Sequence, residues 1–433
     1  MAPATVFLGD ARARLLPASI PMRFFGAAVA FHLLAWLALL AGGAQVAGFS
    51  GGLGLPLAAL HLLTLGVLVM TAIGASLQLL PVATRQAIGP PRVLAALWWL
   101  YTPTVAVLTL AMAMGWVRAL AAAAALLVLV LLAYAGLLGR NLARARGMPV
   151  VVVHGWAAGA CLLVLLGTGL SLAAAYHGHG LLDHAAALAL HVSLATYGFM
   201  GLLVLGFSYI LLPMFALADA PALRPSLASA GLVVAALATA AAAAAGWAPE
   251  AAWRLAMLAG LAGLALHVLL MRGVLRSGMR RRLGRPLVLV QVGWAALAAS
   301  LVAALALDAG AGLARLRPLF VVLLVGGLLS FLLGVLSRIV PFLASMHAPA
   351  GKRGPPLPSA LTSEPALALH FSCHLAAFAG LLLAVWADSA WLLRAAALSG
   401  SVGALALAWF FIFSWRGMRA QPVATLPQGQ DLK

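Results

Sequence analysis

Long apolar runs, separated by short polar breaks, follow one another from about residue 24 to about residue 415. Each has about twenty residues or more, the length that an α-helix needs to cross a bilayer. No charged stretch between them is long enough to form a separate soluble domain. The pattern predicts twelve transmembrane helices, at residues 24–43, 55–82, 93–115, 119–139, 150–175, 185–215, 227–247, 251–271, 286–307, 318–345, 365–387 and 391–415.

The composition agrees with this prediction. Hydrophobic residues make up 65% of the 433 residues and charged residues 8%, whereas a soluble domain carries about 25% charged residues. The first apolar run follows an arginine-containing leader and is longer than the apolar part of a cleaved signal peptide, so we expect it to be retained as a helix. The expected fold class is an all-α integral membrane protein whose main partner is the lipid bilayer.

The formal net charge of +18 is distributed unevenly between the two sides of the membrane. If loops alternate between the sides, 21 of the 26 Lys and Arg residues fall on the side of the N-terminus. The positive-inside rule then predicts a multi-pass protein of a bacterial-type inner (plasma) membrane with both termini in the cytoplasm. Because no basic and aromatic surface lies outside the predicted helices, we expect no binding of nucleic acid.

One pattern occurs three times: Gly, seven residues, Gly, six residues, Pro. The copies begin at Gly66, Gly198 and Gly326 and fall on the second, sixth and tenth predicted helices. This spacing predicts one transmembrane domain of three four-helix blocks related by a pseudo-threefold axis along the membrane normal. The blocks cover about 24–139, 150–271 and 286–415. Alternatively, the glycines simply allow close helix packing.

The twelve helices, the three blocks and the repeated Gly and Pro residues resemble subunit I of the haem-copper oxidase and nitric oxide reductase superfamily. The closest local similarity covers His61 to Pro81, HLLTLGVLVMTAIGASLQLLP, which resembles a helix of nitric oxide reductases whose outer histidine binds haem b. A weaker resemblance, carried by the stretch from His61 to Gly66, is to the NnrS family of haem- and copper-containing membrane proteins.

The resemblance implies cofactor-binding roles for four residues. His61 matches the position of the haem ligand, and His191 lies on a repeat-related helix at a depth that differs by about 3 Å. We therefore expect His61 to be an axial ligand of haem b, with five-coordinate iron or with His191 as an unusual second ligand. Arg315 and Arg317 are expected to pair with the haem propionates.

This chain also departs from the family pattern. Val321 and Leu319 occupy the positions where the tenth helix of the family carries its two histidines. The predicted seventh helix, 227–247, lacks the histidine pair expected for copper, and Ala195 stands where the family has a tyrosine. Oxygen-reductase chemistry is therefore not expected, and no catalytic residue is assigned.

Two further groups are candidate metal ligands, for copper or zinc. His177, His179 and His184 fall in or beside the outer loop before the sixth helix, and short His-rich tracts are prone to bind metals. His370, Cys373 and His374 are spaced to share one face of the eleventh helix, and imidazole with thiolate suits Cu(I) or zinc. Both groups have a simpler explanation, as a solvated loop and as polar packing between helices.

The sequence leaves three functions open. The first is a haem-binding protein, with or without copper, for respiratory electron transfer or nitrogen-oxide and gas handling, acting with a cytochrome or another membrane subunit. The second is a carrier or assembly factor for copper or haem. The third is a structural subunit without a cofactor.

Overall fold

The structure, a computed structural model, describes residues 16–420 except 48, 50, 281–283, 311–314 and 350–354. This part of the chain forms twelve helices that are long and apolar enough to cross a membrane, and it contains no strand. The prediction of an all-α, twelve-span membrane protein is confirmed. In chain order the helices are α1 (Ser19–Ala41), α2 (Leu55–Thr84), α3 (Pro91–Met114), α4 (Val117–Ala143), α5 (Pro149–Ala175), α6 (His184–Ala216), α7 (Leu223–Ala244), α8 (Ala252–Ser277), α9 (Arg285–Asp308), α10 (Leu316–His347), α11 (Glu364–Ala387) and α12 (Ala390–Arg419).

The helix ends differ from the predicted ones by a few residues, mostly because the helices are longer. Helices α3, α5, α9 and α11 begin with a proline at their first or second position. Proline is tolerated there because the first backbone N–H groups of a helix have no partner within the helix. Two short elements join the spans, an α-helix at Gly43–Ala47 and a 3₁₀ turn at Pro358–Leu361.

The three repeat helices occupy the interior of the bundle. In their most apolar 18-residue windows, 72% of α2, 83% of α6 and 61% of α10 is buried, against at most 50% in the other nine spans. Side chains from all three line one small apolar cavity of about 40 Å³. The outer helices pack mainly against their neighbours in sequence, and α12 packs against α1, which closes the ring.

The second glycine of each repeat lets the inner helix pack closely on the first helix of its own block. A Cβ atom added to Gly74 would lie 2.7 Å from Phe24 of α1, and one added to Gly206 would lie 2.7 Å from His154 of α5. At Gly334 the nearest atom, a backbone oxygen of α9, would be closer still. Close packing therefore accounts for these glycines, while superposition of the three blocks stays a prediction.

Candidate histidine sites

Two of the inner helices contain a segment of π-helix at the same place in the repeat. The segments are Leu62–Val69 in α2 and Leu194–Met200 in α6, and each begins four residues before the first repeat glycine, Gly66 or Gly198. Helix α10 is α-helical throughout. Because π-helical segments often occur at functional sites, this shared distortion indicates a candidate site on α2 and α6.

Side-chain hydroxyl groups form hydrogen bonds with the backbone of the two π-helical segments. Thr64 and Thr196 occupy equivalent repeat positions, and each hydroxyl donates a hydrogen bond to the carbonyl oxygen four residues earlier, at 2.9 and 2.6 Å. The Tyr101 hydroxyl of α3 donates to the carbonyl oxygen of Leu65 at 3.0 Å. Such bonds use acceptors that a bent helix leaves accessible. The Thr-x-Gly that both segments share is a sequence signal for this distortion, and the Gly and Pro pattern alone does not include it.

His61 and His191 lie close together, just before the two π-helical segments, which begin at Leu62 and Leu194. Their ring centroids are 6.4 Å apart and their ring planes are inclined by 31°. Helix α10 packs against both π-helical segments, whereas α2 and α6 make few direct backbone contacts with each other. The two imidazoles therefore approach one another across the space between helices that are not themselves closely packed.

The His61–His191 pair has ring nitrogens that make no hydrogen bond. The Nδ1 atom of His61 is 3.0 Å from the carbonyl oxygen of Leu57; a carbonyl can only accept, so Nδ1 donates and Nε2 carries the lone pair. His191 Nδ1 is buried without a hydrogen-bond partner. Gly169 of α5 gives its ring room, since a Cβ there would be 3.2 Å from His191 Cε1.

The spacing of the two rings suits a shared metal ion. With metal–nitrogen bonds of about 2.1 Å and about 1.1 Å from nitrogen to ring centre, two imidazoles on opposite sides of one ion have centroids about 6.4 Å apart. A backbone bond to the other ring nitrogen, as at His61, is the usual support of a metal-ligating histidine. The donor set of two neutral imidazoles therefore fits a haem iron or a single small metal ion.

A second group joins α5, α6 and α8. Tyr209 lies between His154 and His267, with ring centroids 5.6 and 5.2 Å away, and its hydroxyl is 3.3 Å from His267 Nδ1. The Nε2 atoms of both histidines are buried without a partner. Trp294 of α9 packs against His267 at 6.1 Å. Tyr209 thus separates the imidazole rings of His154 and His267.

The third group contains two of the predicted metal ligands on α11. The rings of His370 and His374 are 6.0 Å apart, and His32 of α1, for which the sequence predicted no role, lies 6.2 Å from His370. Cys373 and His370 both contact Gly403 of α12: a Cβ added to Gly403 would lie 3.0 Å from the Cys373 Cβ, and His370 Nδ1 donates to the Gly403 carbonyl oxygen.

The remaining predicted site residues lie at the ends of helices. His177, His179 and His184 are exposed, and so are Arg315 and Arg317 at the start of α10. Among the described residues, no group of three or more His, Cys, Asp or Glu side chains is arranged to hold a metal ion. The loop site and the propionate contacts therefore stay predictions.

The fold and the histidine groups together define a class: this is a twelve-span helical membrane protein with histidines buried among its helices. Comparison of the chain with protein-family models and with curated protein sequences gave no match.

Proposed function

We propose that this chain is a haem-binding electron-transfer protein of the membrane, with haem b held between His61 and His191. The observation that carries the proposal is the 6.4 Å separation of the two rings, at the start of π-helical segments that recur at one place in the repeat. The resemblance of the α2 segment to haem-binding helices of nitric oxide reductases supports haem rather than a bare ion.

Ligation by two histidines favours electron transfer over gas binding. If His61 and His191 both hold the iron, no position would remain for a small molecule such as nitric oxide or carbon monoxide. The haem would supply a one-electron redox couple. The protein's part is to hold both rings, to keep Nε2 of His61 free through the Leu57 bond, and to exclude water.

The beginning of α10 provides basic side chains for the propionate groups of the haem. Arg315 and Arg317 are exposed at the beginning of α10, the helix that contacts both π-helical segments. Guanidinium groups there would bind propionates through charge-assisted hydrogen bonds. Every acidic residue in the described part of the chain lies at a helix end or in a loop, so carboxylates do not compete within the spans.

The visible spectrum of the purified, dithionite-reduced protein tests this proposal. We expect a b-type band from low-spin iron that carbon monoxide does not change. His61→Ala and His191→Ala should each remove that low-spin signal, by loss of haem or by a change to five-coordinate iron. His347→Ala is the matched control, because both nitrogens of that ring are hydrogen-bonded to backbone oxygens.

Other spectra would favour other functions. A carbon monoxide adduct in the wild-type protein would indicate gas handling at an open iron position. Bound metal without haem would favour the carrier or assembly factor. A colourless, metal-free protein from haem-replete cells would overturn the proposal and leave the structural subunit.

A further inference from the structure

A buried cluster of three imidazoles joins the first and the eleventh helices. His32, His370 and His374 are 1%, 0% and 2% exposed, and neighbouring rings are 6.2 and 6.0 Å apart. Each ring has one nitrogen without a hydrogen-bond partner: His32 Nδ1, His370 Nε2 and His374 Nδ1. Unpaired polar atoms inside a membrane protein are costly, so a ligand that engages them would stabilise the cluster.

The hydrogen bonds of the other nitrogens show which free atoms carry lone pairs. His370 Nδ1 donates to the Gly403 carbonyl oxygen at 2.9 Å, which leaves a lone pair on Nε2. The Ser330 hydroxyl gives its proton to the carbonyl of Gly326, so His374 Nε2 donates to Ser330 Oγ at 2.8 Å. His374 Nδ1 therefore also carries a lone pair.

His32 differs from the other two. The indole N–H of Trp36 donates to His32 Nε2 at 2.9 Å, and an indole N–H is a donor only. In the neutral ring the proton of His32 is therefore on Nδ1. His32 cannot ligate a cation through Nδ1 while it keeps the Trp36 bond, so the structure offers two ligating nitrogens, not three.

The surroundings determine the charge of the cation that two such nitrogens can hold. The cost of burying an ion in an apolar medium rises with the square of its charge. A divalent ion would need compensating carboxylates, and the described acidic residues all lie at helix ends or in loops. A monovalent, polarisable ion that accepts imidazole ligands is favoured, and among biological metals Cu(I) has these properties.

We propose that His370 Nε2 and His374 Nδ1 bind one Cu(I) ion between α1, α10 and α11. Gly403 and Ser330 hold the two ligands through their other ring nitrogens, as is typical of metal-binding histidines. One ion bonded to a nitrogen of each ring allows ring centres up to about 6.4 Å apart, and these two are 6.0 Å apart with ring planes inclined by 30°. Among the described residues Cys373 does not join the two histidines in a group of three possible ligands, and this site shares no residue with the His61–His191 pair.

Anaerobic titration of the full-length protein with Cu(I), in competition with a chromophoric chelator, tests the proposal. The His61→Ala/His191→Ala double variant should still bind one ion per chain, which separates this site from the haem proposal. In that background, His370→Gln and His374→Gln should each lower the affinity at least tenfold. Cys373→Ser and the control His347→Ala should leave the affinity unchanged.

A direct measurement does not depend on the folding of the His370→Gln and His374→Gln variants. X-ray absorption at the copper edge of the loaded double variant should show nitrogen ligands with imidazole scattering and no sulfur. Sulfur in the coordination shell, no binding by the double variant, or undiminished binding by well-folded His370→Gln and His374→Gln proteins would each overturn the proposal.

Discussion

At the scale of single residues, glycine decides where the histidine rings can lie. Gly169 of α5 stands against His191, and the nearest ring atoms would be 3.2 and 3.4 Å from an added Cβ. A neighbour at that distance has to move by a few tenths of an ångström, and a larger side chain would displace the imidazole from His61. The position of His191 therefore depends on a residue that has no polar group.

Gly169→Leu should disrupt the His61–His191 pair without removing either histidine. We expect the low-spin haem spectrum to change to that of five-coordinate iron, which then binds carbon monoxide. Gly167→Leu, two residues away on the same helix with no atom within 4 Å of an added Cβ, is the matched control. An unchanged spectrum in Gly169→Leu would show that His191 is not a ligand.

At the scale of helices, packing on glycine fixes the inner three against the outer ring. Gly74 lies directly against Phe24 and Phe25 of α1, and both side chains are fully buried. In a bilayer, helices associate through van der Waals contact and hydrogen bonds, because lipid is as apolar as their side chains. The close contact between α1 and α2 at Gly74 therefore contributes directly to the stability of the bundle.

Gly74→Ala should lower the free energy of unfolding by about 1–3 kcal/mol, the usual cost of extra atoms in a filled interior. Gly231→Ala on α7, where an added Cβ meets nothing within 4 Å, should leave it nearly unchanged. Unfolding in mixed micelles with increasing SDS, followed by circular dichroism, measures both. Equal stability of the two variants would contradict a close approach of α1 and α2 at Gly74.

The sequence predicted the number of helices and their approximate bounds because apolar length alone defines a transmembrane span. It also singled out His61 and His191, since their repeat positions put them at similar depth. The π-helical segments do not show in the apolar pattern, because a shift of helical face is visible only in a helix with a polar side and α2 is apolar nearly all round. Their sequence signal is the shared Thr-x-Gly, at Thr64 and Thr196, which the Gly and Pro pattern does not include. His32 had no local signal, since the histidine that it approaches, His370, lies on α11.

At the scale of the whole molecule, charged groups lie at the two ends of the bundle. Arg254 pairs with Asp308 where α8 begins and α9 ends, and Arg285 lies 3.6 Å from Glu364 where α9 and α11 begin. Between these levels the outer surface is apolar, with exposed side chains such as Leu129 and Leu163. Lipid contact around the whole circumference follows from this arrangement.

Reporter fusions can determine which end faces the cytoplasm. The positive-inside rule predicts that a fusion in the α5–α6 loop, at Gly180, reports the periplasm and that one in the α4–α5 loop, at Gly147, reports the cytoplasm. An alkaline phosphatase and a fluorescent protein at each position provide complementary signals. The reverse pattern would invert the orientation that we predict.

The closure of the ring by α12 against α1 has a consequence for the order of assembly during synthesis. The His61–His191 pair belongs to α2 and α6, and α10, which packs against both π-helical segments, completes its surroundings. The His32–His370 contact joins α1 to α11 and can form only when translation is almost complete. A chain stopped after α10 should therefore acquire haem but no Cu(I), so that copper binding would report a finished molecule.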